Sequence, residues 1–176
     1  NPQWVPGQLG SALELDGDDY VDLGNPPVLD FGDNFTLCCW VKDPVGGSII
    51  AKGGDDGGGI RYVLSVGSEV NLLVDDNSDK ASASGGSELL QDGEWHPVAG
   101  VKETGTLRVF IDSVEVGSGW VAFACDLSGT SQHNAYIGAL WQRDLAAPGK
   151  YYTGSVDDIR IYNGSLTSTD LADIMF

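Results

Sequence analysis

Short alternating runs, broken at close intervals by turn residues, constrain this chain more than any other feature. Ser11 to Asp16 alternates apolar with polar and stops at Gly17-Asp18. Tyr20 to Leu23 does the same and stops at Gly24-Asn25-Pro26-Pro27. Phe35 to Lys42 forms a longer run ended by Asp43-Pro44, and Ser48 to Lys52 is ended by the glycine-rich stretch Gly53 to Gly59. Ile60–Val66 and Val70–Val74 follow, then a polar stretch from Asp75 to Ser87. The second half repeats the style with Trp95–Val101, Thr106–Asp112, a turn at Ser113-Val114 into Glu115-Val116-Gly117, Tyr136–Ala139 and Val156–Tyr162. Side chains alternate across a strand, so each run buries one face. Turns recurring roughly every 8–12 residues predict an all-β sandwich or barrel. Only Ser168 to Phe176 suits a helix: Thr167 or Ser168 caps it, Asp170 falls in the first turn, and Leu171, Ile174 and Met175 make a short apolar face.

The length, 176 residues, predicts one domain spanning 1–176. No linker divides it, and no fixed period suggests a propeller or solenoid. Glycine is abundant at 25 residues, but 5 Trp, 6 Tyr and 5 Phe accompany it, which fits tight turns between packed strands rather than low complexity. Apolar residues make up 41% and the mean hydropathy is -0.08, ordinary for a folded domain. No apolar run is long enough to span a membrane, and no basic segment followed by an apolar one opens the chain. The start at Asn1-Pro2-Gln3 suggests a mature protein or an excised module. A net charge of -17, from 26 acids and 9 bases, repels phosphate and makes nucleic acid and anionic membranes poor partners. It attracts cations and resembles the composition of proteins from salty surroundings. It also weighs against strongly anionic glycans, although one arginine or a calcium ion reverses the field locally.

Cys38, Cys39 and Cys125 are an odd set with no CxxC or Cys/His spacing for zinc. Adjacent residues on a strand face opposite ways, so Cys38 and Cys39 do not bond each other; either pairs with Cys125, or all are small buried thiols, the reading favoured here.

Several phrases in order resemble the concanavalin A-like lectin/glucanase superfamily, in its laminin G-like and pentraxin-like branch. They are Leu13 to Val21, Phe35-Thr36-Leu37 through Trp40-Val41-Lys42, Asp92-Gly93-Glu94-Trp95-His96 on to Val101, Gly105 through Asp112, Tyr136-Ile137-Gly138, and Gly154 through Asn163. The resemblance runs from about Leu9 to the end. It implies a jelly-roll β-sandwich of two curved antiparallel sheets, with the last strand beside the first. It also implies a secreted or cell-surface setting, since members are often carried by bacterial polysaccharide-degrading enzymes and adhesins. Pentraxins link the strand holding Cys38 to the strand after Trp95-His96 by a disulfide; here Val98 stands where the partner is expected.

No catalytic set is evident. Glycosidases of this fold need paired carboxylates on one strand. Glu14-x-Asp16 echoes that pattern, but no second Glu follows and Gly17 opens a turn. His96 and His133 read as structural or surface residues. A metal is more plausible, because calcium takes several hard oxygens. Asp16-Gly17-Asp18-Asp19 puts three carboxylates around a tight turn, and Asp157 alternates with Ile159 and Ile161, which puts it on their inward face. A carboxylate facing a core is paired or metal-bound. With the strand order the resemblance implies, Asp16, Asp18 and Asp157 are expected to hold one structural Ca2+; the competing reading has Asp157 accepting backbone N–H bonds from the N-terminal turn. Asp75-x-Asn77-x-Asp79 begins like a calcium loop, but Lys80 and Gly86 occupy positions that need Gly and Glu, so it reads as a solvated loop.

The expected ligand site is at the loops. Trp141 sits among Gln142, Arg143 and Asp144 in a stretch that breaks alternation, and Tyr151 follows. An exposed indole offers a flat face to a sugar ring, and arginine, amide and carboxylate groups fix its hydroxyls or acidic substituents. Asp55 and Asp56 lie in the glycine loop that, in pentraxins, helps hold a ligand-bridging calcium; the 140–144 loop lacks the pentraxin acidic run. Trp40 and Trp95 are assigned to packing. The expected function is a non-catalytic carbohydrate-binding module, appended to other domains of a secreted polysaccharide-active enzyme, that takes a polysaccharide or glycan ligand. The alternative is a calcium-dependent adhesion module; a hydrolase or lyase ranks below both.

Overall fold

One strand belongs to both layers of the molecule, and it sets the architecture. The computed structural model describes residues 1–56, 61–121, 127 and 130–176. In chain order the strands are β1 (Gln3–Pro6), β2 (Ser11–Asp16), β3 (Val21–Gly24), β4 (Asn34–Lys52), β5 (Arg61–Val66), β6 (Val70–Asp75), β7 (Lys80–Gly85), β8 (Trp95–Glu103), β9 (Thr106–Ile111), β10 (Val114–Trp120), β11 (Ala135–Ile137), β12 (Leu140–Gln142), β13 (Ala147–Gly149) and β14 (Thr153–Tyr162), followed by helix α1 (Ser168–Met175). The first sheet runs β1-β2-β14-β4-β8-β9-β10 and the second β3-β11-β4-β5-β6-β7, all pairs antiparallel. Residues Asn34–Lys42 of β4 pair with β8, and Gly47–Lys52 pair with β5. This is the expected jelly-roll sandwich, with the last strand beside β2.

The break expected at Asp43-Pro44 is a bend within β4 rather than an end. Asp43 (φ 45°) and Gly47 (φ 110°) take left-handed backbone there, which swings the strand from one sheet into the other. Gly47 has no substitute: a Cβ would sit 2.1 Å from the Tyr151 carbonyl oxygen. Three elements escape the alternation argument, the four-residue β1 among them. β7 lies inside the stretch read as polar loop, because Lys-Ala-Ser-Ala-Ser-Gly has little β-propensity. Its small residues serve contact instead: Cβ atoms on Gly117 and Gly119 of β10 would lie 2.1 Å from the Ser84 and Ser82 carbonyl oxygens. The two sheets thus close on each other along that edge. The β12–β13 hairpin is too short for a pattern to show.

The core follows period two. Phe35, Leu37, Cys39 and Val41 point between the sheets, where they meet Tyr62, Leu64, Leu72, Val74, Val109 and Val156. Each such aliphatic side chain contributes about 1.5–3 kcal/mol when fully buried. Cys38 and Trp40 point the other way and are covered by Leu171 and Met175 of α1. The two cysteines are therefore buried on opposite faces as free thiols, and Val98 stands opposite Cys39 in register. Cys125 lies outside the described residues. The helix begins as expected, with Thr167 and Asp170 in a reciprocal capping box. Eight residues are too few to hold a helix in water alone, so its packing over Trp40 and Phe110 carries it. Among the described residues no helix is long and apolar enough to cross a membrane.

Candidate functional site

The outward faces of β5 and β6 form the floor of an open groove. While Tyr62, Leu64 and Val66 enter the core, Arg61, Val63 and Ser65 face away from it; on β6 the same rule turns out Asn71 and Leu73. The groove measures about 460 Å³. Leu140, at the base of the β12–β13 hairpin, packs on Val63 and Leu73 at its floor. Lys150 and Tyr151 form a wall beside it, and Lys80 of β7 closes another. Arg61 is buried, with its Nη2 donating to the Asp75 carboxylate at 2.6 Å. The Tyr151 ring is half-buried and stacks on Tyr20 at 6.1 Å between centroids, and its hydroxyl donates to the Pro148 carbonyl at 2.8 Å. Lys150 occupies left-handed backbone (φ 48°) and its carbonyl accepts from Ser48 N–H at 2.9 Å, which pins this wall to β4.

The loop residues singled out from the sequence come together, but not as one platform. Trp141 is half-buried and stacks face to face on His133, centroids 4.6 Å apart and planes 15° from parallel. The imidazole, rather than a sugar, covers one face of the indole. The His133 Nε2 lies 2.7 Å from the Asp56 carboxylate. Gly54 must be glycine, since a Cβ would meet both His133 and Trp141 at 2.7 Å. The Asp55 Oδ1 accepts the Arg143 backbone N–H at 2.7 Å, and the Asp55 carbonyl accepts from the Arg143 guanidinium at 3.1 Å. The Asp55 N–H in turn donates to the Trp141 carbonyl at 3.3 Å. Asp55, Asp56, Trp141 and Arg143 therefore bind the glycine loop to the hairpin. Gln142 packs under Gly149, and Asp144 is exposed at the hairpin tip. Tyr151 lines the groove, whereas Trp141, one residue beyond Leu140 on a two-residue period, faces His133 and Gly54.

The expected metal set is parted. Pairing of β14 with β2 sets Thr153 opposite Asp16 and Val156 opposite Leu13, so Asp157 stands about four residues, or ~13 Å, along the strands from Asp16. A bulge also turns it round. Asp157 pairs with Trp40 and Arg160 with Cys38, so two residues, Asp158 and Ile159, oppose Cys39 alone. Ile159 and Ile161 face the core while Asp157 shares the outer side with Trp40. There its Oδ2 accepts the Leu9 N–H and its Oδ1 the Asp158 N–H, both at 2.8 Å. Gly7 makes room for the carboxylate, because a Cβ there would lie 2.4 Å from Oδ2. Asp157 thus anchors the β1–β2 turn, the reading that competed with the metal.

Asp19 takes its place beside Asp16 and Asp18: one carboxylate oxygen from each lies within 4.8 Å of the others. Asp19 is buried and pairs with the Asn1 ammonium at 2.6 Å. A hydrogen bond shared between Asp16 and Asp18 holds Asp16 below the usual carboxylate value and Asp18 above it. Hard oxygens gathered this way are the donor type calcium takes. The 75–79 segment is a solvated turn as expected: the Asp75 side chain accepts from Asn77 N–H, and the Asp76 side chain from Ser78 and Asp79 N–H.

The sheet-face residues Arg61, Lys80 and Lys150 went unnoticed in the sequence. The signal was present in part: Arg61-x-Val63-x-Ser65 is the outward half of a strand whose inward half is apolar.

A two-sheet jelly roll with a groove on one sheet face defines the class of lectin-like sandwich domains. Residues 15–172 match the family model of the concanavalin A-like lectin/glucanases superfamily, and the chain belongs to that superfamily. No curated protein matches it by sequence. Among solved structures, the chain is similar to domain 4 of AbnA, a GH43 extracellular arabinanase from Geobacillus stearothermophilus in complex with arabinotriose. The identity is 20%, the TM-score 0.71, and the match covers 99% of this chain and 81% of that one. It is also similar to the CBM40 of the Ruminococcus gnavus IT-sialidase bound to α2,3-sialyllactose, at 14% identity, TM-score 0.76, 94% of this chain and 96% of that one. A SAP-like pentraxin from Limulus polyphemus matches at 16% identity, TM-score 0.66, 93% of this chain and 80% of that one. At these identities the likeness concerns the fold.

Proposed function

We propose that this chain is a non-catalytic carbohydrate-binding module, carried by a secreted polysaccharide-active protein, that holds a glycan in the groove over β5 and β6. The groove carries the reading: about 460 Å³ of open space joins an apolar floor to converging polar groups, the composition a sugar with C–H faces and hydroxyls requires. Tyr151 is the aromatic contact, and Ser65 and Asn71 supply neutral hydrogen-bonding groups. Trp141, Gln142, Arg143, Asp55 and Asp56 support the hairpin that shapes one wall, and Asp144 extends the surface at its tip. Support comes also from the arabinanase domain and the sialidase module, whose structures hold an oligosaccharide on the same fold. Calcium at Asp16, Asp18 and Asp19 is a structural ion in this reading, fixing the turn between β2 and β3.

The test is a panel of immobilised glycans probed with the chain and with Tyr151→Ala. Binding to at least one glycan, weakened about tenfold or more by the substitution, is the expected result, since a sugar–aromatic contact contributes on the order of 1–2 kcal/mol. New reducing ends released from a bound polysaccharide would refute the non-catalytic assignment. Retention on protein-coated surfaces with no glycan bound would favour an adhesion module instead.

A further inference from the structure

The chain has 9 basic residues against 26 acidic ones, yet three of the nine line this single groove. They are Arg61 from β5, Lys80 from β7, and Lys150 from the segment after β13. Among the described residues no aspartate or glutamate lines it. Asp75, beneath Arg61, neutralises one of the three charges through the 2.6 Å bond to Nη2, which leaves a net excess of two positive charges over an apolar floor. The chain as a whole carries a net charge of -17, so the groove reverses the prevailing sign. Two strands and a turn distant in sequence would not converge their cations here by the demands of packing, since Lys80 and Lys150 are exposed.

The backbone at Lys150 points the same way. Its φ of 48° is a conformation in which glycine is free of strain and a side chain costs about 1 kcal/mol or more. Glycine takes such places at Gly138 and Gly154, while Ala146 (φ 48°) and Asp158 (φ 45°) carry side chains there as Lys150 does. The Lys150 carbonyl is tied to Ser48 N–H, which fixes the lysine on the groove wall.

Resting on the carbohydrate-binding reading, we propose that the groove selects saccharides bearing a carboxylate, which Lys80 and Lys150 bind directly and which Arg61 orients from the floor. Uronic acids and sialic acids share this chemistry, so the experiment carries an arm for each. The 176-residue chain is titrated calorimetrically with tri-galacturonic acid against its methyl ester, and with 3′-sialyllactose against lactose, at low and high sodium chloride. The same titrations are run on Lys80→Ala and Lys150→Gly. Expected is binding of one acidic probe at least tenfold tighter than its neutral counterpart, with the preference reduced by 0.5 M salt. Each substitution weakens that probe about ten- to a hundredfold, the share of a charge-assisted hydrogen bond. Lys150→Gly melts at or above the wild-type temperature, because glycine relieves the backbone; a purely structural lysine predicts no change in binding. Equal affinity for acidic and neutral partners, unmoved by both substitutions, overturns this inference and leaves carbohydrate binding standing. A glycan panel on which the folded chain retains no sugar, acidic or neutral, overturns both.

Discussion

Lys52 is fully buried at the end of β4, and removing its counter-ion is the sharpest test of how this sandwich is closed. Its ammonium donates to the Asp30 carboxylate and, at 3.3 Å, to the Pro26 carbonyl. Those two residues flank the short turn Pro27–Leu29, whose carbonyl at Leu29 accepts the Tyr62 hydroxyl at 3.2 Å. Phe31, Phe35 and Tyr62 stack beneath, their centroids 5.3–5.4 Å apart. Asp30→Ala leaves a buried ammonium with one neutral acceptor. Breaking a buried pair from one side costs about 3–5 kcal/mol. The Asp30 side chain keeps 15% of its exposure, so water can partly replace it, and about 3 kcal/mol is the expected loss. For a domain of this size that lowers Tm by roughly 6–12 °C. The assay is urea unfolding followed by tryptophan fluorescence, with the slope of the transition checked for constancy. Asp30→Ala combined with Lys52→Met removes both charges and keeps the volume, and it should recover most of the loss. A loss below about 1 kcal/mol in the single variant, or a double variant less stable than the single, would refute the reasoning.

Three other outcomes follow from local geometry. Asp157→Ala frees two backbone N–H donors, Leu9 and Asp158, and should cost about 1–3 kcal/mol in urea unfolding while leaving any calcium effect untouched. His96 lies 3.0 Å from both Asp92 and Asp112; burial lowers its proton affinity, but the two carboxylates outweigh that and raise it above the ordinary histidine value. Stabilisation by the charged imidazole is therefore full below the unfolded value near ~6.5 and fades as pH rises through the folded value, so the stability gap between wild type and His96→Asn is larger at pH 5.5 than at pH 8.5. Burial pushes the Cys38 thiol up to about 12 and Cys39 well above its usual value, so in a Cys125→Ser background neither reacts with a thiol reagent at pH 8 until the chain is unfolded, when two react.

Where a strand is long and buried on one side, its residues announce it. β2, β9 and the first half of β4 follow their alternation, and the Thr167–Asp170 box fixes the start of the helix. Alternation fails where the backbone departs from period two. The bulge at Asp158, itself at φ 45°, reverses the facing of Asp157 relative to Ile159, and no residue type there signals it. The Asp16–Asp18 pair was visible because its turn is local, whereas the separation of Asp157 from it depends on pairing register, which is set by two strands remote in sequence. β7 was hidden for a different reason. Its alanines and serines are chosen by the approach of β10, a contact that exists only once both sheets are assembled.

The same distinction explains why the loop residues were legible and the groove was not. Trp141, Gln142, Arg143 and Asp144 are adjacent in the chain, so their chemistry reads as a motif; in the structure the side chains of Trp141 and Asp55 are largely consumed in joining two loops. Arg61, Lys80 and Lys150 are separated by 19 and 70 residues, and each alone is an unremarked cation on a strand or turn. Only the order β4-β5-β6-β7, with the β12–β13 hairpin folded over β4, brings them to one groove. A binding surface on a sheet face is assembled from single outward residues of many strands. Local motif therefore favours the rim over the face, and the charge that looks like a property of the whole chain is locally reversed where the strands converge.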